Sequence, residues 1–144
     1  MKRILVSVIL GLGLTGCGGN GLPNRSSVIP TVTPSEATVA VGGSVEITGN
    51  ATGFTSSPVV DWWIKESKDR DFYRDCGKLD TQTKDFTGCP YGIVMFHDVA
   101  QFPSVATYYA PPTPGTYHVT FRAIQFSTYE YLEKMATATI TVTE

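Results

Sequence analysis

The chain has 144 residues, of which 42% are hydrophobic and 17% are charged, and its formal net charge is −2. This length suits one domain with a single hydrophobic core. Contacts with phosphate groups need clustered lysine and arginine, so a mildly acidic chain without a basic patch is a poor candidate for nucleic-acid binding. We therefore expect no nucleic-acid partner.

The N-terminus has the order of segments that is typical of an export signal. Lys2 and Arg3 come first, an apolar run at 4–14 follows, and small residues precede Cys17. The run is too short for a transmembrane helix, which needs about 20 apolar residues. The ending 14–17 (Leu-Thr-Gly-Cys) resembles the lipobox of bacterial lipoproteins. The alternative is an ordinary cleaved signal that leaves Cys17 unmodified.

The lipobox resemblance implies a location in the cell and a lipid anchor. After removal of residues 1–16, Cys17 would be the N-terminus and would carry the lipid, with the membrane as its partner. Gly18 follows the cysteine, where an aspartate would favour retention in the inner membrane, so the resemblance favours the outer membrane of a bacterial cell envelope. Residues 17–27 are predicted to form a glycine-rich linker and residues 28–144 the domain.

Two cysteines remain for the domain, Cys76 and Cys89. Export places them in an oxidising compartment, where a disulfide is expected. It would close a loop of about a dozen residues and contribute about 2–3 kcal/mol by restricting the unfolded chain. The rival interpretation is a metal site, but these cysteines with only His97 and His118 do not match the ligand spacing of zinc sites. We expect neither a metal nor a cofactor.

From residue 28 onward the chain has the pattern of short β-strands, with apolar and polar residues in alternation between turn signals. Strands are predicted at 28–33, 37–41, 44–48, 60–64, 92–97, 105–110, 117–123 and 136–143. Residues 50–57 are rich in Gly, Thr and Ser and are predicted to form a loop. Residues 128–135 have two interpretations, one helical turn or a long hairpin loop.

This pattern predicts an all-β fold, an Ig-like β-sandwich of about seven strands with a disulfide-pinned insertion at 65–90. Trp62 lies in the middle of a strand, where a sandwich needs one large ring between its two sheets. Tyr117 follows Pro-Gly-Thr at the start of a strand, which is the position of a tyrosine corner.

Three segments carry a family resemblance. Residues 33–48, 107–120 and 138–143 resemble the opening, the Tyr-x-Ala-Pro segment and the last strand of bacterial Ig-like domains of the Big/PKD-like type. The resemblance implies a β-sandwich and is compatible with spacers, adhesin modules and binding units. About forty residues, 65–104, separate the tryptophan strand from the Tyr-x-Ala-Pro strand, which argues against a pure spacer.

Aromatic residues in and around the insertion form the candidate binding surface: Trp63, Phe72, Tyr73 and Tyr91. The alternative is that the aromatic residues of this region form a small satellite core fastened by the disulfide. A second group near the C-terminus has the same two interpretations: Phe126, Tyr129 and Tyr131.

A catalytic role finds little support in the sequence. His97 and Asp98 are adjacent, with Ser104 or Ser127 as nucleophile, but no Gly-x-Ser-x-Gly motif is present. We therefore expect a lipid-anchored, non-catalytic envelope domain that acts as a structural or protein-binding module. The alternatives are a glycan-binding or adhesive module that uses exposed aromatics, and a small envelope enzyme or enzyme inhibitor.

Overall fold

The computed structural model describes residues 21–67, 76, 86, 88–96 and 102–144. The candidate site residues Cys17, Phe72, Tyr73, His97 and Asp98 lie outside these ranges.

Eight strands account for most of the described chain, after one 3-10 turn at Arg25–Ser27. They are β1 (Ile29–Thr33), β2 (Glu36–Ala40), β3 (Ser44–Thr52), β4 (Val59–Ile64), β5 (Ile93–Phe96), β6 (Ser104–Tyr109), β7 (Gly115–Phe126) and β8 (Tyr131–Thr143). Each overlaps a segment in which the alternating pattern predicts a strand, so the all-β prediction is confirmed.

The strands form two four-stranded sheets. Sheet A has the order β1-β3-β6-β5 and sheet B the order β2-β8-β7-β4. All neighbouring pairs are antiparallel except β2 and β8, which are parallel. After β1 the chain crosses from sheet A to sheet B within 34–35, so that β1 and β2 are the edge strands of the two sheets on the same side of the sandwich. This order is that of an immunoglobulin-type sandwich, so the predicted Ig-like fold is confirmed, with eight strands rather than about seven.

The core between the sheets is centred on Trp62, as the sequence predicts. Its side chain is fully buried, its indole Nε1 donates a hydrogen bond to Ser104 Oγ at 2.9 Å, and its ring lies 5.0 Å from that of Phe121. Gly49 makes room for this pair, because a Cβ on Gly49 would lie 2.3 Å from the Phe121 ring. The hydrogen bond satisfies the one polar atom that burial of the indole would otherwise leave unpaired.

Tyr117 forms the predicted tyrosine corner. Its hydroxyl donates to the carbonyl of Thr113 at 2.9 Å, which fixes the connection between β6 and β7. Two residues further along β7, Val119 is fully buried. Antibody domains have a cysteine of their inter-sheet disulfide at this position, whereas this chain has an apolar side chain and a disulfide elsewhere.

The β7–β8 hairpin is longer than the sequence predicts. Its pairing runs from Gly115 opposite Val142 to Phe126 opposite Tyr131, and the turn at 127–130 is closed by a hydrogen bond from Ser127 N to Glu130 O of 2.8 Å. The helical alternative for 128–135 is therefore wrong.

β3 is also longer than predicted, because β1 and β6 pair with its two sides and β1 reaches Thr52. The loop predicted at 50–57 is therefore wrong for 50–52, which belong to the strand. Pairing with neighbouring strands outweighs the weak strand preference of the residues after Thr48.

Candidate functional site

The two ends of the sandwich differ in which large apolar side chains they expose within the described ranges. β4 runs from Val59, opposite Ile124, to Ile64, opposite Val119. The first end, the hairpin end, comprises the N-terminal segment 21–28, the β3–β4 connection 53–58 and the β7–β8 turn. The second end, the insertion end, is where β4 leads into the insertion and where Tyr117 forms its corner.

The predicted disulfide is present and fastens the insertion to sheet A. Cys76 and Cys89 are bonded, and Cys89 is fully buried in a small cluster with Phe86 and Ile93. The Phe86 ring packs against the ring of Tyr109, with 4.8 Å between centroids. Tyr109 alternates with buried residues of β6 and so lies on the outer face of sheet A. The cluster therefore covers part of that face near the insertion end.

A second contact fastens the start of the insertion to sheet B. The Glu66 carboxylate accepts a hydrogen bond from His118 N at 3.0 Å and is paired with His118 Nδ1. Lys65 N donates to His118 O at 2.8 Å. Burial raises the pKa of Glu66, but the hydrogen bonds from His118 outweigh burial and leave this pKa below its ordinary value. The ionised carboxylate is thus the form that the folded protein favours.

Two residues of the predicted binding surface, Trp63 and Tyr91, lie in described parts of the chain. Trp63 lies half-buried on the outer face of sheet B, with the guanidinium of Arg122 5.4 Å from the centroid of its ring. Arg122 in turn pairs with Asp61 at 2.6 Å and with Glu133 at 3.2 Å. This cross-strand arrangement holds the cation against the indole, in the geometry of a cation–π contact.

Tyr91 lies in the connection that precedes β5 of sheet A. It is half-buried against the main core, and its carbonyl accepts a hydrogen bond of 2.9 Å from the hydroxyl of Tyr108. Burial raises the pKa of Tyr108, so its hydroxyl stays protonated and remains a donor. Tyr91 therefore contributes to the packing between the insertion and the core.

The large exposed apolar side chains gather at the hairpin end. Phe126, Tyr129 and Tyr131 are 62%, 95% and 59% exposed, and the Phe126 and Tyr131 rings are 6.4 Å apart across the hairpin. We call these three residues the hairpin surface. Ile29 and Val59 are exposed at the same end, so five of the eight large apolar residues exposed in the described ranges lie there. This concentration is a candidate contact surface.

The N-terminal segment lies beside the hairpin surface. Arg25 lines a shallow groove together with Tyr129, Glu130, Tyr131 and Glu133. The groove therefore lies between the N-terminal segment and the tip of the β7–β8 hairpin.

The β3–β4 connection holds that segment in place. Thr55 exchanges two hydrogen bonds with the buried amide of Gln125, at 3.1 and 2.6 Å, and its hydroxyl is 3.4 Å from the carbonyl of Gly21. Gly53 has a positive φ of 89°, and a Cβ there would lie 2.2 Å from the carbonyl oxygen of Ser27. Only glycine allows this close approach of two backbones.

The described residues give little material for catalysis or metal binding. Ser104, one of the two candidate nucleophiles, is buried and accepts the hydrogen bond of Trp62. Within the described ranges no three side chains of His, Cys, Asp or Glu come together as a metal site. No helix in these ranges has the length and apolar character that a membrane crossing requires.

Comparisons with known proteins return only distant structural likenesses. No family model matches the chain, and no curated protein matches it. Domain 1 of VCBP3 from Branchiostoma floridae is 18% identical over 85% of this chain and 97% of its own, with a TM-score of 0.47.

Two bacterial structures are similar at a comparable level. The adhesin InvE of Yersinia pseudotuberculosis is 16% identical over 87% of this chain, which spans 28% of that chain, with a TM-score of 0.40. AggA, the major subunit of aggregative adherence fimbriae type I from Escherichia coli, is 15% identical over 87% of this chain and 97% of its own, with a TM-score of 0.36. No functional assignment follows from likenesses at this level.

Proposed function

We propose that this chain is a non-catalytic binding module of the bacterial cell envelope, anchored by a lipid on Cys17. Its partner, an envelope protein, binds to the disulfide-pinned insertion between β4 and β5. The observation that carries this proposal is the attachment of the insertion to both sheets, through Glu66 on sheet B and through Cys76–Cys89 on sheet A.

The connection between β4 and β5, residues 65–92, is long for a compact domain. Connections of more than about 12–15 residues are uncommon in compact domains and are usually functional or linkers. A linker gains nothing from being fastened, whereas a binding loop loses less conformational entropy on association when its base is already fixed. The disulfide, the packing of Phe86 on Tyr109 and the pairing of Glu66 with His118 all fix that base.

Near the insertion, the described aromatic side chains favour a protein partner over a glycan. Sugar recognition by stacking needs an aromatic ring with an open face. Arg122 lies over the Trp63 ring, and Tyr91 is half-buried against the core, so these two predicted contact residues are engaged within the domain.

The proposed location rests on the sequence of the N-terminus. The lipobox-like ending at Cys17 supports lipid attachment, and Gly18 supports the outer membrane over the inner one. The absence of clustered basic residues from the sequence supports a partner other than nucleic acid.

The test is quantitative cross-linking of the full chain in its native envelope, followed by purification and identification of captured proteins. Two variants remove the proposed contact: deletion of 66–89, and Cys76→Ser with Cys89→Ser, which keeps every other residue. A matched control, Thr38→Ala with Thr141→Ala, alters exposed residues on the outer face of sheet B.

We expect one partner to be lost in the deletion variant, reduced in the cysteine variant and retained in the control. Tryptophan emission from the buried Trp62 verifies that each variant folds. A folded deletion variant that captures the same proteins in the same amounts would show that the insertion is not the binding segment.

A further inference from the structure

We propose that the hairpin surface rests in the membrane interface, in the same bilayer that holds the lipid on Cys17. Phe126, Tyr129 and Tyr131 then orient the domain so that its hairpin end faces the lipid. This inference rests on the lipid anchor of the proposed function and adds to it a second, non-covalent contact.

The first support is the position of the N-terminal segment. Gly21 is held beside Thr55, and Arg25 lines the groove that contains Tyr129 and Tyr131. Cys17 precedes Gly21 by four residues, so at most about 14 Å of extended chain separates the lipid-bearing residue from the hairpin end. The anchor therefore enters the domain at the end where the exposed aromatics lie.

The second support is the distance to the opposite end. β7 has 12 residues and runs the length of the sandwich, which places its two ends about 40 Å apart. A lipid at Cys17 thus keeps the hairpin end within reach of the bilayer while the insertion end stands about 40 Å further along the strands. The described attachment points of the proposed partner-binding segment then lie at the end away from the membrane.

The third support is the chemistry of the exposed side chains. Tyrosine is enriched at membrane interfaces because its ring is apolar and its hydroxyl remains hydrated. Ile29 and Val59 extend the apolar area at the hairpin end. These five side chains are the majority of the large apolar residues exposed in the described ranges and would otherwise face water close to the bilayer.

Charge at this end favours neither attraction to nor repulsion from an anionic membrane. Arg25 and Glu130 both line the groove, and Glu133 is paired with Arg122. Docking is therefore driven by aromatic and aliphatic burial rather than by basic residues, and it requires no anionic lipid.

The experiment uses the full lipid-bearing chain, purified from its envelope and reconstituted in phosphatidylcholine vesicles with brominated acyl chains. Tyr129→Trp adds a fluorescent probe at the hairpin surface. Val41→Trp is the matched control, because Val41 is a partly exposed apolar residue in the turn after β2, at the insertion end. Emission of the unsubstituted chain is subtracted to remove Trp62 and Trp63.

We expect the bromine atoms to reduce the added emission of Tyr129→Trp at least about twofold and to leave that of Val41→Trp almost unchanged. Adding Phe126→Ser and Tyr131→Ser to the Tyr129→Trp chain should weaken the quenching. Replacing part of the phosphatidylcholine with phosphatidylglycerol should leave it unchanged.

Flotation of the same vesicles separates this inference from the anchor. A chain that floats without quenching of Tyr129→Trp retains the anchor and overturns the docking, as does equal quenching of both probes. A chain that does not float lacks the anchor and overturns both. A dimer in detergent that shields the Tyr129→Trp probe assigns the hairpin surface to a second copy and also overturns the inference.

Discussion

The two groups of aromatic residues, one around the insertion and one in the β7–β8 hairpin, are equivalent in the sequence but different in the fold. The described aromatics in and next to the insertion are all covered to some degree: Phe86 is buried, Tyr91 packs against the core, and Trp63 is half-buried beside Arg122. Those of the hairpin are exposed. Aromatic content alone therefore does not identify a binding surface, because the neighbouring strands decide whether a ring is covered.

The difference arises from what lies over each sheet. The insertion packs Phe86 and the disulfide over the outer face of sheet A. On sheet B, Phe126 and Tyr131 form the last pair of a long hairpin and point away from the core. None of the described segments covers this pair. Each of the four predictions that follow compares a covered aromatic or acidic group with a more exposed counterpart.

The largest effect is expected from the two adjacent tryptophans of β4. Trp62→Ala removes a fully buried ring and leaves Ser104 without its indole donor, so we expect a loss of about 4–5 kcal/mol in unfolding free energy. Trp63→Ala removes a half-buried ring and its contact with Arg122, with an expected loss of about 1 kcal/mol. Urea unfolding followed by circular dichroism measures both. Equal losses would contradict the assignment of Trp62 to the buried face of β4 and of Trp63 to its outer face.

The next comparison sets Phe86 against Phe126. Phe86→Ala opens a cavity beside Tyr109 and the disulfide, which should cost about 3 kcal/mol. Phe126→Ala removes an exposed ring, and its effect on unfolding free energy should stay within about 0.5 kcal/mol. The same urea titration with the disulfide intact provides the measurement. A large effect of Phe126→Ala would mean that the hairpin surface serves stability rather than contact.

A smaller effect is expected at the tyrosine corner. Tyr117→Phe removes only the hydroxyl that donates to Thr113, which should cost about 1 kcal/mol and lower the melting temperature by a few degrees. Tyr131→Phe is the matched change at an exposed ring and should leave the melting temperature unchanged. Calorimetry distinguishes them. If the two variants have the same melting temperature, the hydrogen bond of the tyrosine corner makes no measurable contribution to stability.

Much of the fold follows from residue patterns. Alternation predicts the strands, the central position of Trp62 predicts the core, and export predicts the disulfide between Cys76 and Cys89. These features depend on short-range patterning and on the chemistry of the compartment, and both can be read from the sequence.

The hairpin could not be predicted in the same way. Lys134 occupies an inward-pointing register position in β8, opposite Ala123, and this interrupts the apolar alternation before Ala136. The prediction therefore began the last strand too late and made the exposed pair Phe126 and Tyr131 part of a loop. The position of Gly21 beside Thr55 is likewise a tertiary contact without a local signal.

The smallest predicted effect concerns the acidic group that fastens the start of the insertion. Hydrogen bonds from His118 outweigh burial, so the pKa of Glu66 is lower in the folded chain than in the unfolded one. A lowered folded-state pKa contributes stability above the unfolded value, about 4.3 for glutamate, and that stability is lost as the pH falls through the folded-state pKa. Glu66→Gln cannot ionise, so its unfolding free energy should fall less steeply below pH 4.3 than that of the unsubstituted chain.

The matched control for this prediction is Glu130→Gln, at an exposed carboxylate of the hairpin end. Chemical denaturation at closely spaced pH values measures how steeply the unfolding free energy falls below about pH 4.3. The control and the unsubstituted chain should have the same slope, and Glu66→Gln should have a shallower one. Equal slopes for all three chains would mean that the contact between Glu66 and His118 does not hold the insertion in solution. The start of the insertion would then be held to sheet B by the backbone hydrogen bond from Lys65 to His118, without a contribution from the Glu66 carboxylate.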